Sequence, residues 1–185
     1  MKNIYLVNYS VKGIKTLDEL ISLSFYKKTI TRNLDTQEYN VKGIYGMNGS
    51  GKSAIVTSAD ILRNLLTNPG YLNNPIVQKN LEELINKKLG ELFISVDFLV
   101  NLNKQENSIP VLMRYMVTIS QNSNGKYAIS HEKLSCKNAC RKSDFMFNVF
   151  ETQKGDVISV IDEAENPFLK RFLDKTTNLL EDNSM

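Results

Sequence analysis

Gly46-Met47-Asn48-Gly49-Ser50-Gly51-Lys52-Ser53 is the stretch that decides how this chain is read. It fits the pattern G-x-x-x-x-G-K-[ST] at Gly46, Gly51, Lys52 and Ser53. Val41-Lys42-Gly43-Ile44-Tyr45 precedes it and predicts a short buried strand. Ala54 to Leu66 follows it and predicts a helix, with Ile55, Ile61, Leu62, Leu65 and Leu66 as its apolar residues. Strand, glycine loop and helix together form the context in which the pattern becomes a phosphate-binding loop.

The chemistry explains the residue types. A polyphosphate needs many donors at short range. Gly49 and Gly51 let the backbone turn sharply and bring its N–H groups close, where a Cβ would obstruct. The main chain of Met47, Asn48, Gly49, Ser50, Gly51 and Ala54 would line such a cradle, between Gly46 and the helix tip. The N-terminus of a helix adds unpaired N–H groups and partial positive charge. Lys52 would bridge the β- and γ-phosphates of a triphosphate, and the Ser53 hydroxyl would be a ligand of Mg²⁺. The expected cofactors are ATP and Mg²⁺. The plainer alternative is a glycine turn that binds nothing.

Bulk properties set the frame. The 185 residues suffice for one domain with a real core. A hydrophobic content of 42% and a charged content of 23% are ordinary for a soluble globular protein. A net charge of +3 and a pI near 8.7 are mildly basic, and the basic residues are scattered, so they do not argue for nucleic acid. Cys136, Cys140 and the single His131 cannot build a four-ligand zinc site by themselves. Two reduced thiols in a cytoplasmic protein are the expectation. No secretory leader is legible in Met1 to Ser10, and no apolar run approaches the ~20 residues of a membrane span.

Along the chain, residues 3–9 predict a first strand, Lys12 to Lys15 a turn, and Leu20 to Phe25 a second strand. Lys27 to Glu38 reads as a polar loop. Residues 76–89 predict a second helix, with Ile76, Leu81, Leu84, Ile85 and Leu89 at helical spacing and Gly90 as its stop. From Glu91 the period changes to two. Residues 92–100, 111–119 and 127–134 predict strands, with an Asn124-Gly125 hairpin turn, and 145–150 a fourth strand. Residues 165–181 predict a last helix, with Phe168, Leu169, Phe172, Leu173, Leu179 and Leu180 apolar.

Asn8-Tyr9-Ser10-Val11-Lys12-Gly13-Ile14-Lys15, followed by Val41 to Ser53, resembles the N-terminal lobe of ABC-type ATPases of the SMC and RecF group. It looks closest to the prokaryotic AAA-family ATPases of that class, which include anti-phage and DNA-repair proteins. Arg114-Tyr115 and His131-Glu132-Lys133-Leu134 look like the β-lid of these proteins. The resemblance spans residues 1–150. It implies an α/β lobe with a mixed sheet around the P-loop helix and an antiparallel β-lid. The expected division is a nucleotide-binding core at 1–90, a lid at 91–161 and a C-terminal helix at 162–185. It also implies a homodimer that sandwiches ATP, with Lys12 at the position of an early basic residue. Nucleic acid enters as a partner by analogy alone. Arg114, Lys126, Lys133, Lys137, Arg141 and Lys142 charge the lid, and a solvated face accounts for them.

What such an enzyme needs is only partly here. No LSGG-like stretch occurs, and Gln78, Gln105 and Gln121 all compete for the role of the Q-loop glutamine. Val157 to Ile161 is a largely apolar run ending in Asp162-Glu163. One reading makes it a Walker B strand, with Asp162 in the Mg²⁺ shell and Glu163 facing the attacking water. The other makes it a lid strand followed by a helix start, with Asp162 as N-cap and Asn166-Pro167 opening the helix. The second is favoured, because the ABC order requires the signature first. The expectation is therefore an ATP-binding lobe cut before its catalytic half. The alternatives are a self-contained small P-loop NTPase or kinase using Asp162 and Glu163, and a non-enzymatic module with an idle loop.

Overall fold

A computed structural model describes residues 4–25, 42–100, 110–139 and 145–160. Its strands are β1 (Ile4–Lys12), β2 (Ile21–Ser24), β3 (Glu91–Val100), β4 (Val111–Gln121), β5 (Tyr127–Asn138), β6 (Phe147–Gln153) and β7 (Asp156–Val160). Between β2 and β3 run α1 (Lys52–Thr67), a 3₁₀ turn (Tyr71–Asn73) and α2 (Pro75–Leu84). The seven strands form one sheet in the order β2-β1-β3-β4-β5-β6-β7, and every pairing is antiparallel. The chain is thus mixed α/β, but the sheet differs from the expected mixed one. β4 and β5, and β6 and β7, are joined by tight hairpin turns, which return the chain antiparallel.

Period-two patterning gives the sheet two unlike faces. Leu92, Ile94 and Val96 of β3 stand opposite Ile119, Val117 and Tyr115 of β4. On the same core lie Tyr9 and Val11 of β1, Ile55, Ile61 and Leu62 of α1, and Leu81 of α2. Leu92, Ile94, Val117 and Ile119 are all 0% exposed, so the hydrophobic term is concentrated there. Tyr9 ties sheet to helix: its hydroxyl and that of Ser58 on α1 are 2.7 Å apart. Burial pushes the Tyr9 phenol up to about 12, against the opposing effect of the Ser58 hydrogen bond.

The opposite face mixes a polar row with apolar residues, among them Leu99, 2% exposed, and Leu112 opposite it. Asn8, Asp97, Arg114, Ser135 and Asn148 follow one another across β1, β3, β4, β5 and β6. Arg114 donates from Nε and Nη2 to the two oxygens of Asp97, at 2.6 and 2.8 Å. Glu151 accepts from Lys133 Nζ and Asn148 Nδ2 and lies against His131 Nε2, all at 2.8 Å. Asp97 and Ser135 are nonetheless buried, at 8% and 4% exposure, so the charged and polar groups of this face are paired rather than left to solvent.

Two predicted elements differ from the structure. Residues 42–47 form no strand, and Tyr45 and Met47 are 95% and 84% exposed. An apolar pair without a neighbouring strand to bond has no ladder to join. Helix α2 ends at Leu84 rather than 89, because Ile85 leaves it to bridge with Ile14. The turn at Gly13–Leu17 supplies the replacement bonds: Lys15 N–H donates to Leu84 O at 2.6 Å, and Asn86 N–H to Gly13 O at 2.9 Å. Gly90, with φ +70°, closes the turn after the helix instead of the helix itself. The predicted helix at 165–181 and the loop at 27–38 lie outside the described residues. Among the described residues, no helix is long and apolar enough to cross a membrane.

Candidate functional site

The loop between residue 46 and α1 is built from glycine conformations. Ser50 N–H donates to Met47 O at 3.2 Å, closing a turn. Gly49 has φ +83° and Gly51 φ +89°, the left-handed region in which a Cβ is costly. Gly51 is the N-cap of α1, and Ile55 N–H makes the first helical bond to its carbonyl at 3.2 Å. No side chain caps this end, and no acidic residue occupies the first turn. The N–H groups of Lys52, Ser53 and Ala54 therefore have no acceptor within the helix, and the dipole there is uncompensated by carboxylate.

Lys52 folds back over the loop. Its ammonium donates to Gly46 O at 2.5 Å and to Met47 O at 2.7 Å. An ammonium has three donors, so one remains for a ligand after these two bonds. The same bonds hold the two ends of the loop together across residues 46–52. Ser53 is exposed in the first turn, while Ala54 is 1% exposed and belongs to the core. Met47, Asn48, Gly49 and Ser50 are exposed along the loop. Among the described residues, nothing lies within 4 Å of where a Cβ on Gly49 would stand. Gly46 is tighter: a Cβ there would lie 2.7 Å from Ser50 Oγ. The Lys52 ammonium and the exposed Ser53 hydroxyl beside an uncapped helix end are group types that can meet a polyphosphate and Mg²⁺, while the strand expected before the loop is absent from residues 42–47.

The other sequence candidates scatter. Lys12 ends β1 opposite Phe93, and its charge joins the stronger effect of Lys88 in holding the Asp18 carboxyl below its ordinary value. Gln78 is committed to structure. Its Nε2 donates to Leu72 O and Tyr127 O at 2.6 and 2.9 Å, and its Oε1 accepts from Tyr127 N–H at 2.7 Å, stitching α2 to β5. Gln121 is the exposed last residue of β4, and Gln105 lies outside the described residues. β7, which leads toward Asp162 and Glu163, pairs with β6 and exposes Val157, Ile158 and Val160 at 65%, 55% and 66%. Asp162 and Glu163 themselves lie outside the described residues. Among the described residues no three His, Cys, Asp or Glu side chains gather to hold a metal. Cys136 is a buried free thiol pushed up to about 11 by that burial; Cys140 lies outside the described residues.

One participant is missing from the sequence candidates. Leu17 presses on Gly51: a Cβ on Gly51 would lie 2.4 Å from Leu17 Cδ2. The available signal is the pair Ile14 and Leu17 in the otherwise polar run Lys12 to Glu19. Two apolar residues three apart in a turn mark a turn that packs inward. No protein-family model, no curated protein and no solved structure matches this chain.

Proposed function

We propose that this chain binds ATP with Mg²⁺ through the loop Gly46–Ser53, as the ATP-binding lobe of an ABC-type ATPase. In that reading the lobe completes its active site with a further segment and with a second copy. One observation carries it: an uncapped helix N-terminus, reached through two left-handed glycines, with Lys52 folded across the loop mouth. The N–H groups of Gly49 to Ala54 would hold the phosphates, the third donor of Lys52 would reach the β- and γ-oxygens, and Ser53 Oγ would face Mg²⁺. Bound ATP supplies a transferable γ-phosphoryl group whose charge Mg²⁺ neutralises. The wholly antiparallel sheet lends this reading no weight, so it rests on the loop and α1. The exposed, hairpin-paired β7 favours a lobe that hydrolyses little by itself over a self-contained NTPase.

Calorimetric titration with Mg-ATP tests the proposal. The wild-type chain should bind, and Lys52→Ala should weaken binding at least ~10-fold, because a charge-assisted contact is lost. The melting temperature should hardly change, since the ammonium sits over an exposed loop. Mg-GTP and Mg-ADP titrations report the base and the γ-phosphate. A silent wild-type titration, or equal binding by Lys52→Ala, refutes the reading.

A further inference from the structure

We infer that Leu17 is a positioning residue for the phosphate loop, the point at which the folded body grips an otherwise exposed loop; its consequence for ligand binding rests on the proposed nucleotide site. Residues 45–50 are exposed, and a Cβ on Gly49 would meet no described residue within 4 Å. At Gly51 the situation reverses. Leu17 Cδ2, Cγ and Cδ1 would lie 2.4, 3.0 and 3.5 Å from a Cβ there, so the leucyl group covers the bare Cα of the helix cap. A left-handed glycine offers this seat because it has no side chain of its own.

Leu17 is in turn held rigidly. Gly13 N–H donates to Leu17 O at 2.8 Å, and Leu17 N–H to Ile14 O at 2.9 Å. Ile14 is 0% exposed. Asn86 fastens the same turn from its backbone to Gly13 O and from Nδ2 to Lys15 O at 2.7 Å. On its far side Gly13 abuts the Glu91 carbonyl at the start of β3. An unbroken line of contacts therefore runs from β3 and the exit of α2 through Gly13 and Leu17 to Gly51. That line fixes the direction of the first-turn N–H groups before any anion arrives, which lowers the ordering cost of binding.

The test combines backbone hydrogen exchange with Mg-ATP titration of Leu17→Ala, Leu17→Val and Leu17→Met. Exchange is read at Ser50 and Ile55, whose N–H groups close the loop turn and the first helical bond. In Leu17→Ala their exchange should accelerate ~10-fold while the β3 and β4 amides keep their protection. Affinity for Mg-ATP should fall about 5- to 10-fold, and Leu17→Met should restore both. Leu17→Val, the milder truncation, should give the same pattern at smaller amplitude and serves if Leu17→Ala does not fold. Unchanged exchange at Ser50 and Ile55, or acceleration spread equally over the sheet, overturns the inference. If the wild-type chain takes no Mg-ATP, the nucleotide reading fails while the exchange pattern still decides the role of Leu17.

Discussion

A methyl group at Gly13 would stand 1.9 Å from the Glu91 carbonyl oxygen, on a residue with φ +84°. Neither the backbone of β3 nor the left-handed turn can yield cheaply. Gly13→Ala should lower stability by roughly 2–4 kcal/mol, read from urea denaturation. Gly49, with φ +83° but no described residue within 4 Å of its Cβ position, separates the two costs. Its alanine variant carries the conformational penalty alone. At this scale the sequence is legible where a residue type has one use. The helix expected after the loop is there, with Gly51 as its N-cap, and Lys52 reaches back over the loop. Leu17 was hidden because its value lies in touching Gly51, a contact that no local pattern encodes. Gln78 was ambiguous for the same reason, since its amide is spent on Tyr127, far along the chain.

Helix α2 shows how far local chemistry reaches. Asn74 caps it, accepting from Ile76 N–H at 2.9 Å through Oδ1, and Pro75 occupies the first turn, where no N–H is needed. Asn74→Ala should cost about 1 kcal/mol, measured by chemical denaturation, with the sheet unaffected. The start of the helix is thus written in two residues. Its end is not: Ile85 and Leu89 continue the helical spacing, yet the Gly13–Leu17 turn draws Ile85 away. Strand β4 is legible because buried and part-buried residues alternate along nearly all of it, and β3 because alternation breaks only at Ile94-Ser95, where two successive residues are buried. Residues 42–45 of the expected strand have no ladder partner among the described residues, and pairing is a property of two segments rather than one.

Across the described residues, the sheet has one face under α1 and α2 and another carrying a hydrogen-bonded polar row beside apolar residues such as Leu99. Strand order was not readable, because β1 sits between its sequence neighbour β2 and the distant β3. The face carrying the polar row should respond to acid. Glu151 is lowered from 4.5 to about 2, first by Lys133, then by His131 and Asn148. A carboxylate held down in this way stabilises the fold fully above about pH 4.5, and that contribution drains away as pH falls toward 2. Thermal melts of Glu151→Gln should therefore lie below wild type at pH 7 and converge with it in acid. A gap that ignores pH would separate Glu151 from this role.

The place of β1 between β2 and β3 has a consequence for how the chain is made. A ribosome releases β1 and β2 long before Glu91–Val100, so the early hairpin waits with one flank open. Throughout that wait Tyr9 and Val11 lack Val96 and Ile94, their eventual neighbours across the ladder. An unpaired edge carrying apolar side chains is a template for the wrong strand. Until Glu91–Val100 emerges, the inner edge of β1 is therefore a site where a wrong strand can pair.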